Sequence, residues 1–97
     1  MTFDDLRAAV DRRTPLPGET PPLVRALWHD ATGDWDAAHR VAQDVETADG
    51  AWVHAYLHRK EGDVGNAAYW YRRAGRPAAS DSLEAEWQAI AAVLLDP

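Results

Sequence analysis

The stretches LWHDATGDW, residues 27–35, and YLHRKEGDV, residues 56–64, repeat one pattern at a spacing of 29 residues. Each copy runs from apolar residues through a histidine to a Gly-Asp step. Glycine ends helices readily because it tolerates left-handed backbone angles, and aspartate caps the first turn of a new helix. The pattern therefore predicts two helical hairpins, at about residues 21–46 and 50–75, which must stack because neither can bury its apolar face alone.

Helix signals outside the hairpins predict one covering helix at each terminus. Thr2 and Asp5 have the spacing of a capping box before a helix at about residues 2–13, and Asp81 with Glu84 has it before one at about 81–95. Thr20 is predicted to cap the first hairpin, and Asp49-Gly50 to introduce the second. No alternating apolar run predicts a strand. The expectation is one all-α domain over residues 1–97, with five to six short helices.

Composition narrows the class of protein. A chain of 97 residues forms one small core. Its net charge of −6 argues against nucleic-acid binding, and the absence of cysteine excludes disulfides, thiol catalysis and iron-sulfur sites. The acidic start differs from a signal peptide, and the longest apolar run, residues 89–95, is too short to span a bilayer. We therefore expect a cytoplasmic protein with neither a nucleic-acid nor a membrane partner.

The second copy carries a recognisable family pattern. Its residues are Gly62, Asp63, Val64, Ala67, Tyr71 and Ala74. This spacing resembles the turn and second helix of a tetratricopeptide repeat, and the likeness extends over about residues 21–79, although the usual period is ~34 residues. The resemblance implies binding of a protein or peptide. The stretch from Leu57 to Ala74 also resembles short bacterial and fungal proteins, which implies no activity.

Charge and aromatic residues predict where a partner would bind. Residues 52–76 hold five cations against two acidic residues, in an otherwise acidic chain. This charge distribution favours, as the binding partner, an acidic protein or peptide, or a second copy of the chain in a homodimer. The alternative is that these cations compensate helix dipoles and that Tyr69 and Arg73 form an ordinary i,i+4 pair. The candidate binding residues are Trp52, His54, His58, Asn66, Tyr69, Trp70, Arg72, Arg73 and Arg76, with Trp52 and Trp70 expected to be partly exposed.

A second hypothesis is a small-ligand or metal site. His54, His58 and Glu61 recur at helical spacing on one face, and His29 occupies the position equivalent to His58 in the first copy. Two stacked hairpins could bring these four side chains together, and imidazole and carboxylate groups bind transition metals. The competing interpretation is that the histidines line a helix boundary while Glu61 pairs with a cation. The sequence leaves both open.

Signs of catalysis are missing from the sequence. It has no Gly-x-Ser-x-Gly elbow and no phosphate-binding glycine loop. Ser80 and Ser82 flank Asp81, where they are typical of helix initiation. We therefore predict a binding protein that is not an enzyme and needs no cofactor.

Overall fold

A computed structural model describes residues 1–96 and confirms the all-α prediction. Within these residues the chain forms six α-helices and no strand. The helices are α1 (Phe3–Arg12), α2 (Pro22–Ala31), α3 (Trp35–Asp44), α4 (Ala48–Glu61), α5 (Val64–Ala74) and α6 (Leu83–Leu95). None of those helices is both long enough and apolar enough to cross a membrane.

Glycine and aspartate form the turns between neighbouring helices as the sequence predicts. Gly33 and Gly62 have positive φ angles of 94° and 90°. Residues that carry a Cβ rarely adopt such backbone angles. Asp34 then accepts a hydrogen bond from the backbone N–H of Ala37, and Asp63 accepts one from that of Asn66. Each Gly-Asp step thus ends one helix and caps the next.

Other helix starts differ from the sequence predictions. Thr47 caps α4 through a 3.0 Å hydrogen bond from Gly50, so Asp49 and Gly50 lie inside the helix. Ser82, and not Asp81, caps α6. The prediction of Thr20 as a cap was also wrong, because Pro21 holds that position and makes no side-chain cap bond. A cap must place its oxygen at the N–H three residues ahead, and several short polar residues compete for that place.

Helix α4 lies at the centre of the molecule. It packs against α2, α3, α5 and α6, and all residues from Gly50 to His58 are buried. Helix α1 packs against α2 and α6. The largest fully buried side chains come from several helices and form one core: Leu6, Leu27, Leu57, Ile90, Val24 and Val53. Because α4 is enclosed, its polar residues must find partners inside the protein.

Two carboxylates are buried beside α4. Glu86 accepts hydrogen bonds from the Trp52 indole N–H, the Tyr71 hydroxyl and the Arg59 guanidinium. Asp30 accepts from the Tyr56 hydroxyl and from Lys60 Nζ, each at 2.9 Å. Burial and the adjacent carboxylates raise the pKa of both tyrosines, so they remain hydrogen-bond donors at neutral pH. These bonds fix α4 relative to α2, α5 and α6.

Candidate functional site

Three histidines converge between α3 and α4 and form what we call the histidine cluster: His39, His54 and His58. One ring nitrogen from each lies within 4.8 Å of the others. The Nε2 atoms of His39 and His54 are 2.9 Å apart. His39 comes from α3, whereas His54 and His58 lie one turn apart on α4. Two helices therefore build the cluster, and the contact between α3 and α4 closes it.

Two indole rings enclose the cluster. Trp35 stacks on His39 with ring centres 4.9 Å apart, and Trp70 stacks on His54 at 3.9 Å. The Trp35 N–H donates to the backbone carbonyl of Leu57 at 2.8 Å, which fixes that ring across the helix interface. His54 is 5% exposed and His58 is 7% exposed. The rings are thus held in place by packing from three helices.

Hydrogen bonds satisfy the cluster only in part. Nδ1 of His58 lies 2.6 Å from Oε2 of Glu61, and an ionised carboxylate can only accept, so the imidazole donates from Nδ1. Nδ1 of His54 is buried and has no hydrogen-bond partner within residues 1–96. Leaving a buried polar atom unpaired costs about 1–3 kcal/mol. An apolar ring would fill this position at lower cost if packing were its only role.

Two imidazoles of the cluster, His39 and His54, are neutral at physiological pH. Burial, with smaller effects from charge on His39 and His58, lowers the pKa of His54 to about 4. Burial and the neighbouring His58 also lower the pKa of His39. Proximity disfavours protonation because two imidazolium ions in contact repel each other and lose their hydration. The unprotonated imidazole is the form that can coordinate a metal.

Acidification is therefore expected to destabilise the fold. The pKa of His54 is about 4 in the folded chain and about 6.5 in the unfolded chain. Between these two pH values the unfolded chain binds a proton that the folded chain does not, so acid favours unfolding. The lowered pKa of His39 adds to this loss in the same direction. His54 alone should lower the free energy of unfolding by about 2 kcal/mol between pH 7 and pH 5. Urea unfolding with a chelator present measures this loss, and His54→Phe should reduce it by that amount. An identical pH dependence in both proteins would contradict the prediction.

His29 lies outside the histidine cluster, although the sequence repeat predicted that it could lie near His58. Its ring packs edge-on against Trp28. Among residues 1–96 it belongs neither to the histidine cluster nor to a second, more exposed group of possible ligands: His58, Glu61 and Asp63. His39, which was not among the ligands predicted from the sequence, takes part instead. A signal was present, since His39 follows Trp35 by four residues and therefore shares its face of α3. Glu61 lies within hydrogen-bond distance of His58 but stands outside the three-histidine group.

The second region is an exposed surface at the C-terminal end of α5, called here the arginine face: Tyr69, Arg72, Arg73 and Arg76. The Arg73 guanidinium lies over the rings of Tyr69 and Trp70, at 5.8 Å and 5.3 Å from their centres. It also donates to the Tyr69 hydroxyl. The Arg76 guanidinium lies 3.5 Å from the centre of the Trp52 ring. Stacking of this kind orients guanidinium groups while leaving N–H donors available.

A cavity of about 390 Å³ adjoins the arginine face. Trp70 and Arg73 contribute to its wall from α5, and Glu46 and Thr47 contribute from the connection between α3 and α4. Trp70 therefore lines the cavity and also stacks on His54. The arginine face and the histidine cluster share this one side chain.

The remaining predicted binding residues lie beneath that surface, inside the protein, or at the other end of α5. Trp52 was expected to be partly exposed, but it is 6% exposed because it packs in the core and bonds Glu86. His54 and His58 are also buried, so they cannot contact a partner protein directly. Asn66 hydrogen-bonds Asp63 at the opposite end of α5, where it completes the helix cap. Trp70 is half-buried.

The five cations of residues 52–76 divide into two groups. Arg59 pairs with the buried Glu86, and Lys60 pairs with the buried Asp30. Arg72, Arg73 and Arg76 form no salt bridge with any residue in the range 1–96. Of the basic hairpin predicted from the sequence, only the cations of the arginine face are therefore available to a partner.

Comparison with known proteins gives no independent assignment: no family model, no curated protein and no solved structure matches this chain.

Proposed function

We propose that this protein is a binding module that recognises an acidic protein or peptide through its arginine face. The observation that carries the proposal is three exposed arginines without a salt bridge in residues 1–96, on a chain of net charge −6. Carboxylates of a partner would supply the missing counter-charges, in the bidentate geometry that guanidinium favours. The resemblance to a tetratricopeptide repeat points to the same class of function.

Aromatic contacts support recognition over simple compensation of a helix dipole. Arg72 and Arg73 lie in the last turn of α5, where the dipole favours cations. Arg76 lies beyond the helix end, and its guanidinium stacks on Trp52. Tyr69 is 43% exposed beside Arg73 and offers apolar surface next to the charge. Tyrosine and arginine together are the residue types that most often dominate protein interfaces.

The adjoining cavity gives the proposed partner a place for one side chain. Its volume of about 390 Å³ lies within the usual range for small binding pockets. An acidic segment crossing Arg73 could place an apolar side chain against Trp70. The partner we propose is therefore an acidic peptide segment that also contains an apolar or aromatic residue.

Selection from a library of random displayed peptides tests this function. We expect enrichment of Asp and Glu together with an apolar residue, and weaker binding as salt rises because exposed charges are screened. The double variant Arg73→Glu/Arg76→Glu should weaken binding of selected peptides by about tenfold or more, equivalent to about 1.4 kcal/mol. Fluorescence anisotropy with labelled peptides measures the change.

A matched control removes the effect of net charge. Arg12 and Arg40 are exposed cations on α1 and α3, so Arg12→Glu/Arg40→Glu changes the total charge equally. This variant should retain peptide binding nearly unchanged. Equal losses in both double variants, or selection of peptides without acidic residues, would oppose the proposal. Sedimentation of the unmodified protein shows separately whether a second copy of the chain occupies the face.

A further inference from the structure

The histidine cluster has the composition of a metal site. The chain has four histidines, and three of them meet at one point although they are 15 and 4 residues apart in sequence. Imidazole nitrogens bind Zn²⁺, Co²⁺, Ni²⁺ and Cu²⁺ well, whereas Mg²⁺ and Ca²⁺ prefer oxygen ligands. Three imidazoles around one point therefore specify a class of ion.

Distances within the cluster are compatible with one shared ion. Two ligands at about 2.05 Å from a tetrahedral zinc ion lie about 3.3 Å from each other. The Nε2 atoms of His39 and His54 are 2.9 Å apart, and all three ligand atoms fall within 4.8 Å. Side-chain movements of about 1.5 Å or less would bring all three atoms to the spacing of ligands around one ion.

The hydrogen-bond pattern of the neutral imidazoles also favours a metal ion. His39 and His54 contact each other through their Nε2 atoms. When both rings are neutral, one of them must carry a proton on Nε2 and donate it in a hydrogen bond to the Nε2 of the other. A metal ion bound by both nitrogens would take the place of that proton. His58 donates from Nδ1 to Glu61, which leaves its Nε2 as the nitrogen with a free lone pair. Carboxylates commonly orient metal-binding histidines by this same hydrogen bond.

We propose that His39, His54 and His58 bind one divalent transition-metal ion, with Zn²⁺ as the representative of the class and Glu61 as the positioning residue of His58. This goes beyond recognition of an acidic partner. The ion would link α3 to α4 at the point where Trp70 of α5 stacks on His54. Three protein ligands leave a further coordination position for water or an external ligand.

Calorimetric titration of the untagged full-length protein with Zn²⁺, after removal of metals by a chelator, tests the site. We expect one ion per chain, and a thermal midpoint about 10 °C higher at zinc concentrations about a hundredfold above the dissociation constant. Co²⁺ provides a second readout, because imidazole ligands in a tetrahedral site give intense visible absorption. Absence of saturable binding at one ion per chain would overturn the proposal.

Variants separate the site from adventitious binding to surface histidines. His39→Gln should weaken Zn²⁺ binding about a hundredfold, whereas His29→Gln should leave it unchanged, since His29 lies outside the cluster. His39 is only half-buried, so the first variant is expected to fold, and its circular dichroism spectrum verifies this. Glu61→Gln should weaken binding about tenfold and retain the one-to-one ratio. Equal affinities in the His39 and His29 variants would refute the assignment of ligands.

Discussion

Replacing Glu86 with alanine is expected to lower the free energy of unfolding by about 3–5 kcal/mol. Glu86 is 2% exposed, and its carboxylate accepts from three donors on α4 and α5: Trp52, Arg59 and Tyr71. The substitution leaves those donors without their acceptor and also opens a cavity. Chemical denaturation of the variant and the unmodified protein measures the difference.

Glu84→Ala supplies the matched control for this loss. Glu84 lies two residues earlier on α6 and also pairs with an arginine, Arg7, at 2.8 Å, but the side chain is 55% exposed. Water replaces an exposed ion pair easily, so this substitution should cost no more than about 1 kcal/mol. If both variants lost the same stability, burial would not be the source of the Glu86 effect.

Replacing Gly50 with alanine is expected to destabilise the fold by about 3 kcal/mol, at the upper end of costs for overpacking. A Cβ at this position would clash with the backbone carbonyl oxygen of Val45. Backbone atoms cannot turn aside as a flexible side chain can, so the connection between α3 and α4 would have to move. Thermal and urea unfolding test the prediction.

Gly65→Ala is the corresponding control in a helix without such contact. No heavy atom lies within 4 Å of a Cβ built at Gly65, which is in the first turn of α5. Alanine favours helix by up to about 1 kcal/mol over glycine, so this variant should be as stable as the original protein or more so. Destabilisation by both variants would indicate a general intolerance of alanine.

The Gly50 variant also bears on the proposed metal site. His54 lies one turn beyond Gly50 on α4, and its partner His39 lies on α3. Any shift of α4 away from α3 should separate these two imidazoles. We therefore expect Gly50→Ala to weaken Zn²⁺ binding, whereas Gly65→Ala should not.

Buried carboxylates show how much a helical pattern reveals and where it misleads. Glu86 falls between Leu83 and Ile90 at helical spacing, and Asp30 follows Leu27 by three residues, so both occupy apolar faces of their helices. The sequence alone gave no prediction that either carboxylate would be buried. Periodicity shows which face of a helix is buried. Only the packing of the neighbouring helices shows that arginine, lysine and tyrosine side chains donate hydrogen bonds to the carboxylates on that face.

The histidines illustrate the same limit. Sequence spacing joined His54, His58 and Glu61 because they lie on one helix, where local geometry is fixed. It then selected His29 by analogy between the two copies, whereas packing brings His39 to the cluster. The angle and offset between two helices decide which of their faces come into contact. Both quantities follow from side-chain packing throughout the core.

The sequence by itself determined the helical class and the hairpin turns, because left-handed glycines and capping aspartates act over a few adjacent residues. Tertiary structure alone decided that Trp52 is buried and that Arg59 and Lys60 pair with internal carboxylates. It also decided which cations of the second hairpin remain exposed: Arg72, Arg73 and Arg76. Those outcomes depend on contacts between residues distant in the chain, where the cost of burying a charge is balanced against the partners that folding supplies.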